Sequence, residues 1–224
     1  MSTLTKIALS FIGRHKPDRV KARAIADSIA LPRPDTHGGI PLMQALAMRC
    51  SQREFSSGAL PQEMLSNLLW AAFGINRPKS NGRTAPSARD AQEIDVYAAL
   101  PGGLYVYDPF AHSLSLAAAV DARNVTGYQD FVDEAPLDLV YVADHAHMSE
   151  MSSAERQAYS AVAAGAIAQN VYLYCASAGL ATVVRGWLDR AALSRALRLT
   201  EHERIIVAQT VGYPRDRSSG RQFQ

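Results

Sequence analysis

Arg49, Ser51 and Arg53 place two guanidinium groups and a hydroxyl within five residues, in the run Arg49-Cys50-Ser51-Gln52-Arg53-Glu54-Phe55. Arginines at i and i+4 share a helix face, or in an extended turn converge on one anion, and the guanidinium fork matches phosphate geometry. The same run also suits a solvated basic turn with Glu54 as salt-bridge partner. A second stretch, 82–92, is a loop of small and polar residues ahead of a strand-like run, and small side chains let backbone approach a flat ligand. A third, Val183-Val184-Arg185-Gly186-Trp187, is complemented near the chain's end by Gly212-Tyr213-Pro214-Arg215-Asp216-Arg217, where two arginines again lie two apart.

Other chemistries lack their signatures. No glycine fingerprint of a dinucleotide fold and no phosphate-binding P-loop occurs. Cys175-Ala176-Ser177-Ala178-Gly179 lacks the first glycine of a nucleophile elbow. His145 and His147 offer two alternate nitrogens without a third ligand at metal spacing, so no metal site is expected.

The elements that must carry these residues follow from pattern. Leu42, Leu46 and Met48 suit one helix face before Arg49, and a second helix opens at Leu60-Pro61-Gln62-Glu63 and ends at Gly74. Residues 76–89 read as a long irregular loop of the functional kind. Strands are expected at Glu93 to Leu100, Gly103 to Asp108, Leu137 to Ala143, Ala181 to Val184 and Ile205 to Val211. Residues 117–131 are expected to be partly helical. The stretch from Ser152 to Gly179, apolar all round and free of proline, reads as a buried helix long enough to be a dimer spine, and Asp189 to Leu197 resumes helix. Few strands mixed with helices indicate an α+β fold. Residues 1–37 read as an N-terminal arm, Ala-rich and helical in pattern after a basic segment, and 38–224 as the compact domain, entered through Pro32, Pro34, Gly38, Gly39 and Pro41.

Composition bounds the rest. With 224 residues, 48% hydrophobic and 20% charged, the chain can bury one core, and a net charge of +2 disfavours nucleic acid and anionic membrane as partners. No run approaches the roughly 20 apolar residues of a membrane span, and Ile7 to Ile12 is short for a signal peptide. Two distant cysteines argue against a disulfide scaffold, so a soluble, cytoplasmic protein is expected.

Taken in order, the motifs resemble the FMN-dependent nitroreductase superfamily, nearest the nitroreductase-like proteins grouped with the SagB-type dehydrogenases. The resemblance covers about residues 38–215. It rests on Arg-x-Ser-x-Arg-Glu-Phe, Leu-Leu-Trp-Ala-Ala-Phe-Gly-Ile-Asn-Arg-Pro at 68–78, Thr-Ala-Pro-Ser-Ala-Arg at 84–89, Gln-Glu-Ile-Asp-Val-Tyr at 92–97, Gln-Asn-Val-Tyr-Leu at 169–173 and Val-Gly-Tyr-Pro at 211–214. It implies a mainly antiparallel central sheet flanked by helices, an interlocked homodimer, and one FMN in each of two interface sites. By similarity, Arg49, Cys50 and Ser51 bind the ribityl phosphate, aided by Arg215 or Arg217. Arg53 lies near the N1/O2 edge of the isoalloxazine, Gln129 contacts its pyrimidine side, and the backbone of Val184, Arg185 and Gly186 faces N5. Pro86, Ser87 and Ala88 come from the other subunit. The implied function is transfer of hydride from NAD(P)H to nitroaromatic, quinone or similar flat acceptors by a ping-pong mechanism that names no catalytic side chain. The alternatives are a flavin-dependent dehydrogenase of a peptide or metabolite, and a non-catalytic FMN-binding protein. Two positions depart from the pattern: Asp90 stands where asparagine is usual, and Cys50 replaces a basic residue. The absence of any Lys-Tyr pair disfavours the azoline-oxidising reaction of related enzymes.

Overall fold

A computed structural model describes residues 28–215. The expected arm up to residue 27, its helical pattern and Arg217 lie outside the described residues.

Nine strands and four helices make up the described chain. In chain order they are β1 (Ser28–Ala30), α1 (Leu42–Met48), α2 (Gln62–Phe73), β2 (Ile75–Arg77), β3 (Gly82–Arg83), β4 (Ile94–Leu100), β5 (Gly103–Asp108), β6 (Ser113–Ala118), β7 (Leu137–Asp144), α3 (Ser153–Ala178), β8 (Ala181–Arg185), α4 (Arg190–Leu197) and β9 (Glu203–Gly212). Seven strands form one sheet in the order β1-β6-β5-β4-β7-β9-β8, and every pairing in it is antiparallel. The fold is α+β with an antiparallel central sheet, as the sequence indicates.

Alternation along the central strands separates two cores. Val96 and Ala98 of β4, with Leu139 and Tyr141 of β7, face α2 and α3, whose Leu68, Leu69, Ile167 and Val171 are fully buried. Tyr97, Ala99, Val140 and Val142 face the other way, onto Leu188, Leu193 and Leu197 at α4. This inside-outside period of two, realised on both faces, is what a central strand requires.

The long helix has well-made ends. Ser152 and Glu155 form a reciprocal capping box at the start of α3, and Gly179 closes it in the left-handed region at φ 70°. Helix α1 packs against α3 yet leaves Leu42 63% and Met43 75% exposed; on α3 Val162 is 68% exposed.

Three expectations are corrected. Residues 117–131 are not helical beyond a single short turn at Arg123–Val125: Ala117 and Ala118 finish strand β6, which is held between β5 and β1. The loop expected at 76–89 contains the small hairpin β2–β3. Within the expected arm, Ser28–Ala30 pair with Ser113–Ser115 as the sheet's edge.

Candidate functional site

Of the two geometries open to residues 49–55, the chain takes the extended one. Arg49 leaves the helical region at φ −55°, ψ 118°, and the following backbone lies along the sheet's β8 end: Gln52 N–H donates to the Thr182 carbonyl, and Phe55 bridges Pro214. This brings Arg49 and Ser51 to one side chain of α3. The Ser51 hydroxyl lies 2.8 Å from the Tyr172 hydroxyl, and the Arg49 guanidinium carbon sits 5.4 Å from the Tyr172 ring centre. That hydroxyl also accepts a 2.9 Å hydrogen bond from the Val184 N–H. One phenol therefore joins the basic turn, the long helix and β8. Among the described residues Arg49 has no carboxylate in ion-pair reach. A half-exposed guanidinium and a hydroxyl beside extended backbone can hold an anion.

Directly beyond Val184 the chemistry changes. Arg185 is 4% exposed and its side chain turns into the protein. It donates to Asp138 Oδ1 at 2.5 Å, to the Thr126 carbonyl at 2.6 Å and hydroxyl at 3.1 Å, and to the Thr210 hydroxyl at 2.8 Å, which itself donates to Asp138 at 2.6 Å. Burial pushes the Asp138 carboxyl up to about 6 against the pull of these partners, and lowers the Arg185 guanidinium for the same reason. The network clasps β8 to the loop that carries Tyr128 and Gln129. A side chain at Gly127 would strike the Arg185 guanidinium, so the loop can close over it only with glycine there. Among the described residues the Gln129 amide oxygen is buried without a partner, whereas Gly186 is exposed with open space where a Cβ would be. Tyr128 and Trp187 meet above the clasp, with ring centres 5.3 Å apart and 53% and 67% exposed.

The other sequence-derived candidates are placed differently. Cys50 is a free, exposed thiol beside Tyr172, and Arg53 is exposed. Arg215 is committed: its Nε–H donates to the Phe55 carbonyl at 3.1 Å and it pairs with Glu134. Pro86, Ser87 and Ala88 lead into a tight turn in which the Ser87 hydroxyl accepts from Gln92 N–H, and Ala88 packs with Met148 and Met151 near the start of α3. Tyr172 is near its other end. From Glu155 to Tyr172 the helix rises about 25 Å, so a single chain does not unite these two groups.

Sequence reasoning missed Tyr172, which joins the basic turn to β8, and the buried partners Asp138, Thr126 and Thr210 that hold Arg185. Tyr172 lies inside the 169–173 motif, on an apolar helix where an aromatic ordinarily packs in the core.

The sequence pattern of the Nitroreductase family matches residues 46–213. The chain belongs to this family. A Methanocaldococcus jannaschii protein assigned by name to the nitroreductases, MJ1384, is 26% identical over 193 residues, 82% of this chain and 96% of that protein. A solved structure of a protein likewise named, from Ralstonia eutropha JMP134, is 51% identical and superposes with a TM-score of 0.82, covering 89% of this chain and 98% of that one. A third, from Desulfovibrio desulfuricans and in complex with FMN, shares the fold at 22% identity and a TM-score of 0.58, over 84% of this chain and 94% of that one. Family membership makes the chain an oxidoreductase of the nitroreductase type. Among the described residues no helix is long and apolar enough to cross a membrane.

Proposed function

We propose that the protein binds FMN between the Arg49–Ser51 turn and the Val184–Gly186 strand end, and that it is an NAD(P)H-dependent reductase of nitroaromatic, quinone or similar flat acceptors. The observation that carries this reading is the convergence on Tyr172 of a hydroxyl and a guanidinium without an ion-pair partner among the described residues; the Tyr172 hydroxyl in turn orders the backbone of β8. When bound, FMN supplies the two-electron chemistry, taking hydride from NAD(P)H and yielding it to the acceptor.

The chain's part is binding and field. Arg49 and Ser51, with the Cys50 backbone, hold the phosphate end. Arg53 places a cation at the N1/O2 edge, where it offsets the negative charge gained on reduction. Gly186 and its neighbours line the N5 side with backbone, and Gln129 has an unpartnered amide oxygen to offer the pyrimidine side. Arg215 joins only by releasing Glu134. Departure of the oxidised nicotinamide before the acceptor enters gives ping-pong kinetics, since both use one open face.

A homodimer completes the site in this reading. Pairing two copies of α3 in opposite directions sets residues 86–88 of one protomer beside Tyr172 of its partner. It also covers the exposed Leu42, Met43 and Val162.

The test is the purified protein's visible spectrum and mass in solution. The expected result is a yellow dimer that NADPH or NADH bleaches without oxygen and a quinone restores. A colourless protein that takes up no added FMN overturns the proposal.

A further inference from the structure

A second cluster of basic side chains lies away from Tyr172. An open pocket at the first turn of α3, where β9 and α4 also begin, is lined by His145, Arg156, Arg190, Glu201, His202 and Arg204. Its charge is one-sided. Among the described residues Glu201 is the one acid lining it, and that side chain is 87% exposed, 3.8 Å from His202. Among the described residues neither Arg156 nor Arg204 has a carboxylate in ion-pair reach. Arg190 is held by carbonyls alone, those of Gly186, Ile205 and Ile206, which uses three of its five N–H groups and leaves its charge uncompensated. Among the described residues His145 Nε2 is buried with no partner, and its ring is held toward the neutral form by burial and by Arg156 and Arg204, against the pull of Asp144. Three guanidiniums gathered in a concavity repel one another unless an anion enters. The helix start at Ser153 adds a modest positive field.

We propose that this pocket binds a phosphate monoester dianion, with Arg156 and Arg204 as its principal ligands. Two sources carry that group: the 2′-phosphate of NADPH, or a separate phosphorylated metabolite. The first is favoured by position. Arg190 donates to the carbonyl of Gly186. On β9, Ala208 pairs with Arg185, and Arg204 lies four residues earlier on the same strand, a separation of about 13 Å. A dinucleotide with its nicotinamide at Gly186 and its chain extended along the strand reaches the pocket. That assignment of source rests on the flavin reading above, while the pocket itself does not.

The experiment is calorimetric titration of the protein as purified with inorganic phosphate and with adenosine 2′,5′-bisphosphate, in parent, Arg156→Gln, Arg204→Gln and the double variant. Each single change is expected to weaken binding about tenfold, the scale of one charged hydrogen bond. Added salt should weaken the parent's binding more than the double variant's. Steady-state KM values for NADPH and NADH then separate the sources. A selective rise in KM for NADPH assigns the dinucleotide, and unchanged KM values with weakened phosphate binding assign a separate phosphate compound. Equal binding of both probes by parent and double variant, or none by the parent, overturns the site. A colourless protein that still binds phosphate through Arg156 and Arg204 would leave this pocket standing while the flavin reading fell.

Discussion

Arg185 and Arg49 stand at opposite ends of one short path, joined through Val184 and Tyr172, and they are treated in opposite ways. Arg185 is buried, its guanidinium meeting a carboxylate, two hydroxyls and a carbonyl. Arg49 is half-buried over an aromatic ring, with no carboxylate in ion-pair reach among the described residues. Burying a charge is tolerable only when its partners are supplied in place, so the Arg185 network is a framework that fixes the Gly127–Gln129 loop against β8. A guanidinium left unpaired at a concave surface is available to something that arrives later. Arg156 and Arg204 belong with Arg49 in this respect. The distinction between matched and unmatched arginines, rather than their number, separates scaffold from binding surface.

The sharpest way to break the comparison is at Asp138. Asp138→Ala strands the Arg185 charge, and we expect a loss of about 3–5 kcal/mol of stability in urea unfolding. Replacing the pair together, Asp138→Val with Arg185→Met, should recover most of that loss, because no charge is left buried alone. If the double replacement is as damaging as the single, the network's worth lies in something other than charge matching. The same carboxyl gives a pH signature. Its folded-state pKa, about 6, lies above the ordinary value of 3.8, so the folded state holds the proton more tightly than the unfolded chain. Its contribution is fully present below about pH 4 and is lost as pH rises through about 6. Unfolding curves at pH 4, 5, 6 and 7 should show this decline, and Asp138→Asn, which cannot titrate, should flatten it.

The reasons these groups differ also govern how much of them was legible in the sequence. Helix α3 was plain from an unbroken apolar run free of proline. Strands β4, β5 and β7 were plain from their β-branched and aromatic content. Strand β6 was not, because Ser-Leu-Ser-Leu-Ala-Ala carries little strand preference of its own; pairing with β5 and β1 decides it. Asp138 was hidden within Leu137-Asp138-Leu139. A lone acid in a buried strand does call for a partner, but that partner lies 47 residues away. Arg49 and Ser51 were visible because both fall in one short run. Arg156, Arg190 and Arg204 sit on three separate elements, so their convergence exists only in the fold. Tyr172 was masked by its setting, since an aromatic in an apolar helix is ordinarily core.

Smaller effects sharpen the comparison at its other end. Arg49→Ala should weaken FMN binding by about 1.5–3 kcal/mol, followed by fluorescence titration, while shifting stability by no more than about 0.5 kcal/mol, because a half-exposed, unpaired side chain contributes little to folding. Tyr172→Phe should behave in between. It keeps the ring under Arg49 but removes the hydroxyl that receives the Val184 N–H and meets Ser51, so about 1 kcal/mol of stability should go with it. Flavin affinity should fall less than in Arg49→Ala, since the cation is still present and only its neighbours have loosened. A Tyr172→Phe protein with unaltered stability but flavin binding as poor as Arg49→Ala would reverse the assignment. The phenol would then be a ligand to the cofactor in its own right, and the boundary between framework and binding surface would run through β8 itself rather than beside it.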